Sequence, residues 1–121
     1  MLEHEELTRA IIGAAIEVHR RLGPGFLESI YEKALVIELQ KRGLRVDAQV
    51  PLDVSYDGQK VGEHRLDLLI EGQIIVELKA AKAIEDIHFA IVRSYLSATK
   101  LEHALLLNFR AMPLTIKRVR A

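Results

Sequence analysis

Apolar residues near the start of the chain recur every three or four positions: Leu7, Ala10, Ile11, Ala14, Val18 and Leu22 form one stripe, the spacing of a helix with a single buried face. Gly23-Pro24-Gly25 ends that helix, because Gly23 suits a left-handed cap and Pro24 cannot continue the turn. A second helix is expected from Leu27 to Arg42, with Leu27, Ile30, Tyr31, Ala34 and Ile37 toward the core and Gly43 as its stop. The period then shortens to two. Val46, Val50, Leu52, Val54 and Tyr56 alternate across 44–57, as in a half-buried strand. Pro51 lacks a backbone donor, so this strand lies at a sheet edge or is broken there. Asp57-Gly58 signals a hairpin turn. Further strands are expected over Val61–Ile70 and Ile74–Ala80, then a helix over Ile84–Ala98 burying Ile87, Ile91, Tyr95 and Ala98. A buried strand at Ala104–Phe109 and an edge-like one at Thr115–Val119 complete an α-α-β-β-β-α-β-(β) order, an α/β class.

Two of these apolar strands carry charge. Asp67 interrupts Arg65-Leu66-Asp67-Leu68-Leu69-Ile70, and Glu77 and Lys79 sit in Ile74-Ile75-Val76-Glu77-Leu78-Lys79-Ala80. Charges in such company are costly unless paired, solvated or bound to metal. Glu77 and Lys79, two apart on a strand, share a face. Whether Asp67 joins them depends on the loop. A two-residue Glu71-Gly72 loop would put Asp67 opposite Val76, on the other face from Glu77. A three-residue loop pairs Ile70 with Ile74 and sets Asp67 directly across from Glu77, with Cβ atoms about 5 Å apart. Two carboxylates that close repel unless a cation lies between them. The alternative is a partly exposed ion cluster at the end of the sheet.

Length and charge narrow the picture. The 121 residues suit one domain, 1–121. Half are hydrophobic, a high share for so small a domain, where much of the surface faces water, and this allows for a homodimer interface. Lys plus Arg and Asp plus Glu are 17 each, which argues against a strongly basic DNA-coating protein but leaves room for a local basic groove. No cysteine is present, excluding disulfides, thiolate metal sites and cysteine nucleophiles. The segment from Met1 to Ala10 carries Glu3, Glu5 and Glu6 and does not read as a signal peptide. No apolar run approaches the roughly 20 residues that span a bilayer. The expectation is a soluble, cytoplasmic protein.

Gly25-Phe26-Leu27-Glu28-Ser29-Ile30-Tyr31 fits the Gly-x-x-Glu-x-x-Tyr signature, and the chain resembles the GxxExxY protein family. The resemblance extends through Leu22-Gly23-Pro24-Gly25, Tyr31-Glu32-Lys33-Ala34-Leu35, Arg65-Leu66-Asp67-Leu68-Leu69, Glu77-Leu78-Lys79-Ala80, Ser94-Tyr95-Leu96 and Leu107-Asn108-Phe109. It runs from about Ile11 to Phe109. That family is in turn similar to the PD-(D/E)XK nuclease superfamily of restriction endonucleases and RecB-type exonucleases. The resemblance implies a restriction endonuclease-like core, a mixed sheet flanked by helices. It also implies that Asp67 and Glu77 hold Mg²⁺ or Mn²⁺, that Glu28 adds a direct or water-mediated contact, and that Lys79 orients or deprotonates the attacking water. An all-oxygen donor set agrees with such hard ions, which polarise a phosphodiester and acidify water. Nucleic acid, DNA or RNA, is the implied partner. One departure stands out: relatives carry a glutamine one turn before the tyrosine of the third helix, whereas Ile91 precedes Tyr95 here.

Tyr31 follows Glu28 by three positions on one helical face; it either bonds a site carboxylate or is a core tyrosine with a satisfied hydroxyl. Tyr31, Tyr95 and Lys82 are the candidate nucleic-acid contacts. Arg93 and Lys100 could meet phosphate or simply face solvent, and the basic tail Lys117-Arg118-Val119-Arg120 is a candidate outside the site. The five histidines show no metal-binding spacing; His88 alone belongs to a helix expected to border the site. Two functions compete: a metal-dependent nuclease or nuclease-like phosphodiesterase, and a catalytically weak module that keeps the fold and binds nucleic acid or protein. Ile91 and the zero net charge favour the second; the set Glu28, Asp67, Glu77 and Lys79 favours the first.

Overall fold

The computed structural model describes residues 4–121; Met1–Glu3, part of the acidic N-terminal segment considered above, lie outside the described residues. The elements are α1 (His4–Leu22), α2 (Glu28–Lys41), β1 (Val46–Tyr56), β2 (Gln59–Ile70), β3 (Ile74–Lys79), α3 (Asp86–Thr99), β4 (His103–Asn108) and β5 (Thr115–Arg120). The strands form one sheet in the order β1-β2-β3-β4-β5. All neighbours are antiparallel except β3 and β4. Parallel neighbours need a long crossover, and α3 supplies it. The α/β order expected from the periodicity is the order found.

Two apolar layers sandwich the sheet. On one face α1 and α2 bury Leu7, Ile11, Leu35 and Leu39 against Leu68, Val76, Leu78 and Leu107. On the other, α3 packs Val92 and Leu96 against Leu66, Ile75 and Leu106. β3 and β4 lie between both layers, which is why they read as continuous apolar runs. β1 is an edge strand, and Pro51 stands exposed on it. Asp57 and Gly58 both take positive φ, 52° and 75°, the type I′ geometry that joins Tyr56 to Gln59. Among the described residues no helix is long and apolar enough to cross a membrane.

The buried faces of two helices differ from expectation. α2 buries Tyr31, Leu35, Glu38 and Leu39, while Leu27, Ile30 and Ile37 are exposed. α2 is apolar around much of its circumference, so two overlapping stripes compete and spacing alone does not choose. Glu38 can turn inward because Arg21 and Lys41 reach it at 3.4 and 3.3 Å. α3 likewise buries Val92, Tyr95 and Leu96, leaving Ile87 and Ala98 exposed and Ile91 half-buried. His88 belongs to a capping box: its Nδ1 accepts the Glu85 N–H at 2.9 Å while Glu85 caps the helix in return.

Tyr31 has a structural task. It is fully buried, its ring stacks on Phe109 with centroids 4.7 Å apart, and its hydroxyl donates to Gly23 O and accepts the Phe26 N–H at 3.2 Å. The α1–α2 loop is thereby fastened to the core. Tyr31→Phe keeps the stacking and abandons both loop groups. The expected loss is about 0.5–1.5 kcal/mol in urea unfolding. Ile37→Ser, on the exposed stripe, should stay within about 0.5 kcal/mol of wild type.

Candidate active site

The loop Glu71-Gly72-Gln73 pairs Ile70 with Ile74 and Leu68 with Val76. The next pair in that register is Asp67 and Glu77, across from each other on one face. Here the backbone ladder gives way to side chains. Asp67 Oδ2 accepts the Leu78 N–H at 2.9 Å, and Glu77 Oε1 accepts the Asp67 N–H at 3.4 Å. Beyond this point β2 runs on with β1 alone. The carboxylates thus occupy the fork where β2 and β3 part.

The fork is also where the pleat turns over. Leu66 and Leu68, two apart, would ordinarily share a face, yet Leu66 packs in the α3 layer and Leu68 in the α1–α2 layer. On β1, Val46 joins the α1–α2 layer and Val50 the α3 layer. The residue between these pairs, opposite Asp67, is Gln49, with φ of 53°. This roll lets Asp67 face α2 and α3 together.

Glu28, in the first turn of α2, completes the acidic set. Its Oε1 accepts the Ala80 N–H at 3.0 Å, a contact that spans 52 positions of sequence. Lys79 lies half-buried on the face of Glu77, and its charge opposes the proton affinity of both strand carboxyls. Tyr95, only 7% exposed, borders the same centre from α3 and sets its ring edge-on to His64 at 4.9 Å. Burial and the Glu77 and Asp67 charges push its hydroxyl up to about 12. Lys82 is exposed in the segment after β3. Tyr31 stands apart: full burial and its loop bonds exclude the direct nucleic-acid contact expected of it. Among the basic tail residues, Arg118 is taken by Glu5 at 3.0 Å.

Three participants escaped the sequence. Glu32, one turn after Glu28, faces the same hollow of about 390 Å³ lined by Leu27, Glu28, Ser29, Glu32, Gln49, Asp67 and Leu78. Its signal was the four-residue helical spacing from Glu28. Gln49 donates to Glu32 Oε1 at 2.7 Å; nothing in the sequence announced it. Asn108, buried, clamps the strand exit by accepting the Ala81 N–H at 3.1 Å and donating to Ala81 O at 2.9 Å. A hollow of about 440 Å³ at the other end of the sheet holds His4, His103, Arg118 and Arg120, without the converging carboxylates.

The electrostatics follow from burial and crowding. Burial, then the Asp67 charge, pushes the Glu77 carboxyl up to about 8, and burial raises Asp67 as well, with Glu28 adding to it. Glu32 is raised mainly by burial. Like charges in one partly dry pocket favour keeping a proton. The donor set is all carboxylate oxygen, the type that hard divalent ions take. Among the described residues, no three such side chains are gathered closely enough to hold a metal ion; Asp67, Glu77 and Glu28 each accept one backbone N–H. The donor chemistry fits the ion, since one N–H per carboxylate leaves further lone pairs for it.

A pH dependence follows. A carboxyl raised in the folded state adds stability below its unfolded value, near 4.5 for Glu77, and loses it as pH climbs through the folded value near 8. Metal-free protein should therefore lose stability between about pH 5 and 8, with a slope of at most about 1.4 kcal/mol per pH unit for this one proton. Glu77→Gln should flatten the curve in thermal melts taken across that range.

Comparison with known proteins places this geometry in a family. The chain has the fold of the crystal structure of SSO0001, with a TM-score of 0.61 at 16% identity over 76% of this chain and 48% of that one. It therefore spans about half the length of that protein. No curated protein matches. The family model described as the PD-(D/E)XK nuclease superfamily matches residues 5–119. With nearly every residue inside that match, and with Asp67, Glu77 and Lys79 at the fork of a mixed five-stranded sheet, the chain belongs to the PD-(D/E)XK nuclease superfamily.

Proposed function

We propose that this protein is a Mg²⁺- or Mn²⁺-dependent nuclease that hydrolyses phosphodiester bonds in DNA or RNA, working as a single unit. The observation that carries the proposal is the register that sets Asp67 across from Glu77, with Glu28 at the same end of the sheet. Asp67 and Glu77 would hold the ion and Glu28 would add an outer contact. The ion, when bound, supplies a polarised phosphoryl oxygen and an acidified water. Lys79, on the face of Glu77, would orient the attacking water by donating a hydrogen bond to it. The Ala80 N–H and Asn108 keep Lys79 in place by fixing the backbone just beyond it. Tyr95 closes the α3 side of the centre and limits water on that side.

A second reading is a binding module with little cleavage. Ile91, half-buried where relatives carry glutamine, adds no polar group beside Tyr95, and each carboxylate already accepts a backbone N–H.

The two separate cleanly in experiment. Wild type should cleave mixed DNA and RNA substrates only with Mg²⁺ or Mn²⁺. Asp67→Asn and Lys79→Ala should each reduce cleavage beyond the roughly 100-fold seen when a mere supporting contact to a metal ligand is lost. Metal at 100 times its Kd should stabilise wild type by about 2.7 kcal/mol, and Asp67→Asn should lose that gain while its metal-free form melts no earlier. Metal stabilisation without cleavage selects the binding module. If Asp67→Asn unfolds and wild type ignores both ions, Asp67 is structural.

A further inference from the structure

A second cleft adjoins the carboxylate centre. The loop between α1 and α2, the chain leaving β3 and the chain leaving β4 border a hollow of about 320 Å³, lined by Gly25, Phe26, Ala80 and Arg110. Ala80 links the two spaces, since its N–H is the one that Glu28 accepts. The walls are pinned from within. Tyr31 holds the Phe26 N–H at 3.2 Å, and Asn108 Oδ1 accepts the Arg110 N–H at 3.2 Å. Phe26 is 44% exposed although it meets Tyr31 edge-on at 6.1 Å. Arg110 is exposed. The arginines in ion pairs are Arg20, Arg21, Arg42, Arg45, Arg65 and Arg118, so among the described residues Arg110 keeps its charge for another partner.

A solvent-facing aromatic ring and an unneutralised guanidinium, both held by fixed backbone beside an acidic centre, match the two halves of a nucleotide. A ring face takes an unstacked base, and a guanidinium takes the phosphate in a forked contact. Without its ion the acidic centre repels phosphate, and a cation at its border helps to bring the backbone in. We propose that this cleft is a nucleotide subsite, with one base on Phe26 and the neighbouring phosphate on Arg110, so that single-stranded nucleic acid is the favoured substrate. Inside a duplex the bases are paired and stacked, and their faces are closed to Phe26. The proposal rests on the nucleic-acid reading above and names its substrate class.

Fluorescence anisotropy with a labelled single-stranded oligonucleotide and its blunt duplex tests it, with Ca²⁺ present and Mg²⁺ absent. Wild type should prefer the single strand. Phe26→Ala should weaken single-strand binding by about 5- to 150-fold, the worth of one stacked base, and leave duplex binding alone. Phe26→Trp should retain it. Arg110→Ala should lower the slope of log K against log salt by about 0.7 on the single strand. Unchanged single-strand binding in Phe26→Ala, or equal losses on both substrates, overturns the proposal. Cleavage that depends on Asp67 but not on Phe26 removes the subsite and leaves the nuclease. Phe26-dependent binding without cleavage by wild type keeps the subsite and removes the enzyme.

Discussion

Asp67 and Glu77 meet where β2 and β3 stop pairing, and each carboxylate takes over a backbone N–H that the ladder no longer serves. Buried amide groups must find partners, so these side chains close the fork as well as charge it. The same two groups crowd negative charge into a half-dry space, and burial raises both proton affinities, with the Asp67 charge adding to it at Glu77 and the Glu28 charge adding to it at Asp67. Fold and chemistry therefore pull on the same atoms. A bound cation would relieve the repulsion.

The rest of the architecture converges on that fork. The roll of β1 and β2 at Gln49 and Asp67 turns the carboxylate toward the helices. Gly25, at φ of 110°, makes the bend before α2, a conformation that side chains resist. Tyr31 then fastens the bend to the core, and Glu28 emerges at the start of α2 within reach of Ala80. Of Gly25, Glu28 and Tyr31, Glu28 is the one that bonds the strand exit, and the other two aim it.

Much of this was legible in the sequence because short-range rules decided it. They narrowed the β2–β3 register to two loop lengths, of which the structure has the three-residue one, and Asp57-Gly58 and Pro51 marked the hairpin and the edge. The orientation of α2 was not legible, since Leu27, Ile30 and Ile37 compete with Tyr31, Leu35 and Leu39 at the same period. What settled it was distant: Phe109 under the Tyr31 ring, and Arg21 waiting for Glu38. Gln49 and Asn108 were invisible for a similar reason. Their value lies in partners 17 and 27 positions away, Glu32 and Ala81.

The span of the Glu28–Ala80 contact also sets an order of assembly. Asp67 and Glu77 are neighbours in a tight hairpin, whose closure demands little chain entropy, whereas Glu28 must be brought in across 52 positions. The strand half of the centre is thus a local object and the helix half a remote one. In the native protein the same asymmetry leaves Glu28 joined to the strands through one backbone contact, while the hairpin pair is tied by two.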